Sequence, residues 1–195
     1  MSDDETLKVY AEKADDYAAV VGDDHDPHLA VFAKALPKGG AVLDLGCGPG
    51  HVAAALARDG FDVTATDAVP EMVAMANAHP GVSAHCATFD EISGTDLYDG
   101  IWANFSLLHA SRSDMPRHLA ALKSALRPGG VFHIALKSGS GSKRDAIGRL
   151  YTYYTDAELT GLLETAGFSV TNHASGRGKG LDGTYADWIA LRAYG

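Results

Sequence analysis

The sequence predicts an α/β domain of alternating apolar strands and amphipathic helices, and three stretches carry that reading. Val42-Leu43-Asp44-Leu45 is an apolar run that breaks into glycines at 46, 48 and 50 and continues into alanine-rich residues 52–57. A buried strand, a tight turn and a helix fit that pattern. Residues 61–67 alternate apolar and polar side chains and end on Asp67, as a half-buried strand does. Residues 131–137 form a nearly continuous apolar strand ending on Lys137, set off from the preceding helix by Arg127-Pro128-Gly129-Gly130.

The glycine turn points to a small-molecule site. Glycine at 46, 48 and 50 leaves one edge of the turn without side chains, so a ligand can approach the backbone and the helix can pack on the strand. A dinucleotide fingerprint places its third glycine three residues after the second, whereas here it follows after two. Asp44, two residues before the first glycine, would repel a pyrophosphate and could accept from an ammonium. The turn therefore suits a cationic, phosphate-free nucleoside. Asp44-Leu45-Gly46-Cys47-Gly48-Pro49-Gly50 resembles motif I of the class I S-adenosylmethionine-dependent methyltransferases. The resemblance implies a Rossmann-like fold with a seven-stranded, mostly parallel sheet, an antiparallel last strand and helices on both faces. It also implies S-adenosylmethionine as cofactor and S-adenosylhomocysteine as product.

A chain of 195 residues fits one domain and buries about 70% of its unfolded surface, enough for a full core. Two cysteines, Cys47 and Cys86, make no disulfide framework. An acidic start at residues 1–5 and the lack of a membrane-length apolar run lead to the expectation of a soluble, untargeted, cytoplasmic protein. A formal net charge of -9 argues against a nucleic-acid backbone as partner, since phosphates demand clustered Lys and Arg. A small-molecule substrate is expected, on a monomer or homodimer. Nine histidines raise the question of a metal, but His25 and His28 beside Asp24 and Asp26 are a lone pair, so none is expected.

In chain order, Leu7, Tyr10, Ala14, Tyr17 and Val21 mark one face of a helix over 6–21. A second helix from about Pro27 carries Leu29, Phe32, Ala33 and Leu36. Residues 1–38 are expected as a helical lid and 39–195 as the Rossmann-like core. In enzymes similar to this family such helices close over the methionine end of the cofactor, which makes Tyr10 and Tyr17 candidates. Asp67 follows Gly46 by 21 residues, close to the spacing at which an acid after the second strand meets a ribose diol. A carboxylate suits a diol because it accepts both hydroxyl protons. Ala68 and Met72 would flank the adenine. The strand at 82–86 leads to Thr88, Phe89 and Asp90, which the family resemblance places around the adenine edge and face.

The fourth strand, 97–104, runs into Phe105-Ser106-Leu107-Leu108-His109, and the pattern of Trp102 followed after three residues by Ser106-Leu107-Leu108-His109 resembles one met in small-molecule methyltransferases. At the carboxyl end of an open sheet, Asn104, Ser106 and His109 would face the transferring methyl. His109, with an ordinary pKa near 6.5, is a candidate general base. Met115, Leu119, Leu122 and Leu126 form the next helix stripe, and residues 138–142 are flexible by composition. Lys137, Lys143, Arg144 and Arg149 then gather positive charge, followed by Tyr151, Tyr153 and Tyr154. The acceptor pocket is expected to draw on Lys137, Arg144, Tyr151, Tyr153 and His109, and that charge permits an anionic acceptor. Thr155-Asp156-Ala157-Glu158 opens a helix as a capping box. Phe168 begins a sixth strand, residues 176–183 are a glycine-rich connection, and residues 185–193 form the seventh strand.

The tail resembles tellurite-resistance-type and related small-molecule methyltransferases. The expected function is methyl transfer to a small acceptor. A non-catalytic cofactor-binding regulator and a nicotinamide-dependent oxidoreductase are the alternatives.

Overall fold

A computed structural model describes residues 3–20 and 26–195. Val21, Asp24 and His25 lie outside the described residues. Strands β1 (Ala41–Leu45), β2 (Asp62–Asp67), β3 (Val82–Cys86), β4 (Tyr98–Asn104), β5 (Leu126–Lys137), β8 (Ser169–Lys179) and β9 (Tyr185–Tyr194) form one sheet in the order β3-β2-β1-β4-β5-β9-β8. The pairs among β1 to β5 are parallel, and β9 runs antiparallel to both its neighbours. Strand order reverses at β1, which lies between β2 and β4. Open α/β sheets bind ligands outside the carboxyl ends of the strands at such a switch point.

Alternation along the strands divides the core into two layers. Val42 and Trp102 pack with Leu29 and Phe32 of α3 (Pro27–Ala35) and with Ala53 and Leu56 of α4 (His51–Arg58). The same layer takes in Ala76 of α5 (Pro70–Ala76). Leu43, Leu45, Ile101 and Ala103 face the other way, toward Leu119 and Leu122 of α6 (Met115–Ala125) and Leu159 and Leu163 of α7 (Asp156–Thr165). Gly100 is a glycine because α3 crosses it closely: a Cβ there would lie 2.6 Å from Leu36 and 2.7 Å from Phe32. Of the expected lid, α3 is therefore sheet-packing core, and only α1 (Asp4–Glu12) and α2 (Ala14–Val20) reach over the carboxyl ends of the strands.

The single helix expected over 6–21 is two helices. Lys13 leaves the helical region at φ -114°, ψ 21°, and the bend turns Tyr10 and Tyr17 onto each other with ring centroids 5.4 Å apart. The stretch at 142–152 is a hairpin, β6 (Ser142–Arg144) with β7 (Leu150–Thr152), too short for its alternation to be seen in the sequence. Its loop is organised by Asp145, which accepts from the Ile147 and Arg149 amides and from Arg149 Nε. The glycine-rich connection expected at 176–183 is largely strand: β8 continues to Lys179, and the turn is confined to residues 180–184. Gly176 keeps its place in the ladder because Trp188 lies across it, where a Cβ would come within 2.4 Å of the indole. The Arg127–Gly130 turn is likewise drawn into the sheet edge, with Gly129 and Gly130 exchanging backbone hydrogen bonds with Gly195.

Asp44 points from β1 into the layer beneath α4, where the Ala53 amide donates to it, one of the first-turn donors a helix leaves unpaired. Its Oδ2 has no hydrogen-bond partner. Burial, reinforced by the charge of Asp67, raises its pKa from the ordinary carboxylate value to about 7. Between pH 4 and 7 an unfolded chain ionises this carboxyl while the folded chain keeps it protonated, so the folded state loses stability as pH rises through that window. Asp44→Asn should remove roughly 2–4 kcal/mol of this loss. Urea unfolding of both proteins at pH 4.5 and 8 checks it: parallel pH dependences would contradict the assignment.

Candidate active site

The carboxyl ends of β1, β2 and β4 open into a cleft of ≈ 700 Å³, its mouth included, roofed by α1 and α2. Its floor is the turn after β1. The amides of Gly46 and Cys47 both donate to the Thr66 carbonyl, at 2.7 and 2.9 Å, fastening the turn to β2. A Cβ on Gly46 would meet Ser106 at 2.3 Å, so only glycine lets the turns after β1 and β4 cross. Gly48, at φ +52°, presents its amide to Asp67 Oδ2 at 2.9 Å and leaves the space below Tyr17 free.

Asp67 Oδ1 accepts from the Val69 amide at 2.9 Å. Its pKa is raised by burial, against the pull of the Val69 and Gly48 amides. The Ala68 amide acts on it as well, so of about four lone pairs on the two oxygens the carboxylate retains capacity for a ligand hydroxyl. Ala68, Met72 and Phe89 supply apolar wall beside it. At the opposite end Ser106 Oγ is buried with no partner, and Asn104 Oδ1 pairs with His133 Nε2 at 3.2 Å. Among the described residues the lining includes Asp3 and Asp67 but no lysine or arginine.

A second cleft of ≈ 790 Å³, mouth included, adjoins the first and shares Tyr10, Tyr17 and Phe105 with it. Phe105 holds φ +55°, a left-handed conformation that costs a non-glycine residue about 1–3 kcal/mol. Its amide donates to the Ala135 carbonyl at 2.9 Å, which holds the conformation in place. Beyond it stand Lys137, Arg149, Tyr151 and Trp188.

A polar chain runs along the junction. Arg149 donates to Asp145 Oδ2 through Nε and Nη2, at 2.9 and 2.7 Å, and to the Tyr10 hydroxyl through Nη1 at 2.9 Å. Tyr10 Oη lies 3.0 Å from His109 Nε2, and His109 Nδ1 lies 2.8 Å from the Leu150 carbonyl. A carbonyl only accepts, so Nδ1 carries the proton and Nε2 accepts from Tyr10. Burial lowers the His109 pKa to about 4, with the charge of Arg149 adding to it against the Leu150 bond.

Several sequence-predicted residues stand elsewhere. Asp44 is taken up beneath α4 and does not line the cleft. Cys47 faces away, its Sγ 3.5 Å from the Gly48 carbonyl. Gly50 serves helix packing, since its Cβ would sit 2.7 Å from Ala76. Thr88 is the cap of a 3₁₀ turn, paired with Glu91, and Asp90 binds Arg117 on the surface. Arg144 is spent on Asp3 and Glu5, and Tyr153 packs below Gly139 while its carbonyl accepts from Arg112. Gly46, Gly48, Asp67, Ala68, Met72, Phe89, Asn104, Ser106, His109, Tyr10 and Tyr17 line the first cleft, and Lys137 and Tyr151 the second. Sequence reasoning passed over Phe105, Ala87 and Trp188. The basic run pointed to Arg149, but nothing in the sequence announced Trp188, which depends on a glycine in the facing strand. Among the described residues no group of three His, Cys, Asp or Glu side chains gathers as a metal site.

A methyltransferase-domain family model matches residues 42–130. The ubiquinone biosynthesis O-methyltransferase of Methylobacterium nodulans is 28% identical over 166 residues, covering 74% of this chain and 64% of that protein. The dimethylglycine N-methyltransferase of Parasynechococcus marenigrum is 31% identical over 127 residues, covering 60% and 45%. The chain thus spans less than two thirds of the length of these curated relatives. The solved Burkholderia thailandensis 1,6-didemethyltoxoflavin-N1-methyltransferase, with bound 1,6-didemethyltoxoflavin and S-adenosylhomocysteine, superposes with a TM-score of 0.79 at 26% identity. That likeness covers 98% of this chain and 87% of that one. The domain match, the sheet order and these relatives make the chain similar to class I S-adenosylmethionine-dependent methyltransferases, in line with the motif I resemblance of residues 44–50.

Proposed function

We propose that the chain binds S-adenosylmethionine in the first cleft and transfers its methyl group to a small-molecule acceptor in the second, releasing S-adenosylhomocysteine. The observation that carries this reading is the Gly46–Gly48 floor beside Asp67, in a lining without lysine or arginine. The third glycine of the turn follows the second by two residues rather than the three of a dinucleotide fingerprint, and no lysine or arginine of the described lining stands ready for a pyrophosphate, so a nicotinamide cofactor is disfavoured. The relative with bound S-adenosylhomocysteine supports the same reading. A regulatory module would need no second cleft, and the adjoining cleft favours an enzyme. In this reading the partner is a small molecule rather than nucleic acid, and the protein works in the cytoplasm as a monomer or homodimer. No described helix is long and apolar enough to cross a membrane.

S-adenosylmethionine, when bound, supplies a methyl carbon already activated by a positive sulfur. The chain supplies placement. Spare lone pairs of Asp67 take the ribose hydroxyls, Ala68, Met72 and Phe89 enclose the base, and the unpaired Ser106 hydroxyl serves the polar end. Tyr10, Tyr17 and Phe105 line both clefts, so nucleophile and methyl meet between them at short range. His109 is not a free base: its Nε2 lone pair is engaged by Tyr10 and its pKa is held near about 4. Its part is to fix Tyr10, and the acceptor arrives with its lone pair already available.

Asp67→Ala should weaken S-adenosylhomocysteine binding by roughly 1.5–3 kcal/mol, the range for hydrogen bonds to a charged group. Gly48→Val should abolish it by filling the floor. Calorimetry checks both, and unchanged affinities would remove the site assignment. For His109, a positioning role predicts an imidazole that stays neutral from pH 8 down to pH 5.5 in nitrogen-detected NMR. A midpoint near the ordinary value of about 6.5 would restore it as a base candidate.

A further inference from the structure

The second cleft holds a cation without an acceptor. Lys137 ends β5 half-buried, its ammonium 3.9 Å from the centre of the Tyr151 ring. Among the described residues its ammonium has no hydrogen-bond acceptor and no carboxylate within ion-pair distance. Two carboxylates act on its charge from beyond ion-pair distance, Asp182 more strongly than Asp145. Asp145 is bound through both Nε and Nη2 of Arg149. Asp182 accepts from the hydroxyl and amide of Thr184 within its own turn. Arg149 in turn spends its remaining arm on Tyr10, so its charge is matched by Asp145. Lys179 adds a further positive group to the rim. A half-buried ammonium with three unused donors is a costly arrangement that an incoming anion relieves.

The walls around this ammonium are flat and unsaturated. Tyr151 lies under it, and Phe105 and Trp188 meet edge-on with centroids 6.4 Å apart. A flexible polyol finds few polar partners on such walls, and a cationic amine would face Lys137 and Lys179.

Resting on the methyltransferase reading above, we propose that the acceptor is a small planar anion. It is a conjugated or aromatic ring whose carboxylate or ionised oxygen meets the Lys137 ammonium while the ring lies among Tyr151, Phe105 and Trp188. The anion arrives without a proton to shed at that oxygen, in keeping with the engagement of His109 by Tyr10.

The test is calorimetric, on full-length protein first saturated with S-adenosylhomocysteine. The probes are para-hydroxybenzoate, para-hydroxybenzamide and cyclohexanecarboxylate, each titrated into wild type and Lys137→Met. Wild type should bind the aromatic carboxylate at least about tenfold more tightly than the neutral amide, the scale of one charge-assisted hydrogen bond, and more tightly than the saturated ring, which keeps the charge but not the flat π-face. Lys137→Met should lose the preference over the amide while S-adenosylhomocysteine affinity stays unchanged, which also shows that the variant is folded. Equal affinities, a carboxylate preference that survives in Lys137→Met, or no saturable binding of the carboxylate would each overturn the proposal. If S-adenosylhomocysteine itself fails to bind wild type, it is the methyltransferase reading that falls, and the acceptor proposal with it.

Discussion

The hydrogen bond from the Gly48 amide to the Asp67 carboxylate is the constraint on which the rest of the site depends. It joins the turns after two neighbouring strands, and only a residue free to adopt φ +52° without a side chain can present its amide while leaving the floor open. The same bond orients Asp67, whose other oxygen is held by the Val69 amide at the entry to α5. One carboxylate thereby organises the floor and one wall of the cleft and keeps lone pairs for a ligand. Asp44, one strand over, accepts from the Ala53 amide in the first turn of α4, so one of these two acids supports a helix from below and the other faces the cleft.

Helix α1 and the second cleft are joined by side-chain contacts. Arg144 grips Asp3 at the start of α1, and the Leu150 amide donates to Thr6. Arg149 reaches Tyr10, which in turn engages His109. These contacts tie α1 to the β6–β7 hairpin, and the hairpin carries Tyr151 into the second cleft. The basic residues from the end of β5 onward thus stand differently: Arg144 and Arg149 are paired with acids, and Lys137 forms no ion pair among the described residues. Charge counted along the chain does not separate these roles, because pairing is decided by what folds against each side chain.

The strands around the glycine turn, the turn itself and the strand that ends on Asp67 were legible because each rests on local chemistry: an apolar run, an alternation or a turn residue at fixed spacing. Gly50 and Gly46 look alike in sequence, yet one packs against Ala76 and the other against Ser106, contacts between residues distant in the chain. Trp188 was hidden for the same reason, since its place depends on Gly176 in the facing strand. Thr88 and Asp90 sat at the expected offset after β3, but a local capping bond and a surface arginine claimed them. His109 shows the limit most clearly. A histidine near the methyl site suggests a base, and only the Tyr10 and Leu150 contacts reveal that its lone pair is occupied.

The central claim is that the first cleft takes an adenosyl ligand without phosphates. Side-by-side calorimetric titration of the wild-type protein with S-adenosylhomocysteine and reduced nicotinamide adenine dinucleotide tests it most directly. The account predicts saturable binding of the adenosyl ligand, in the micromolar range, and none of the dinucleotide. Binding of the dinucleotide, or no adenosyl binding by a folded sample, would contradict it.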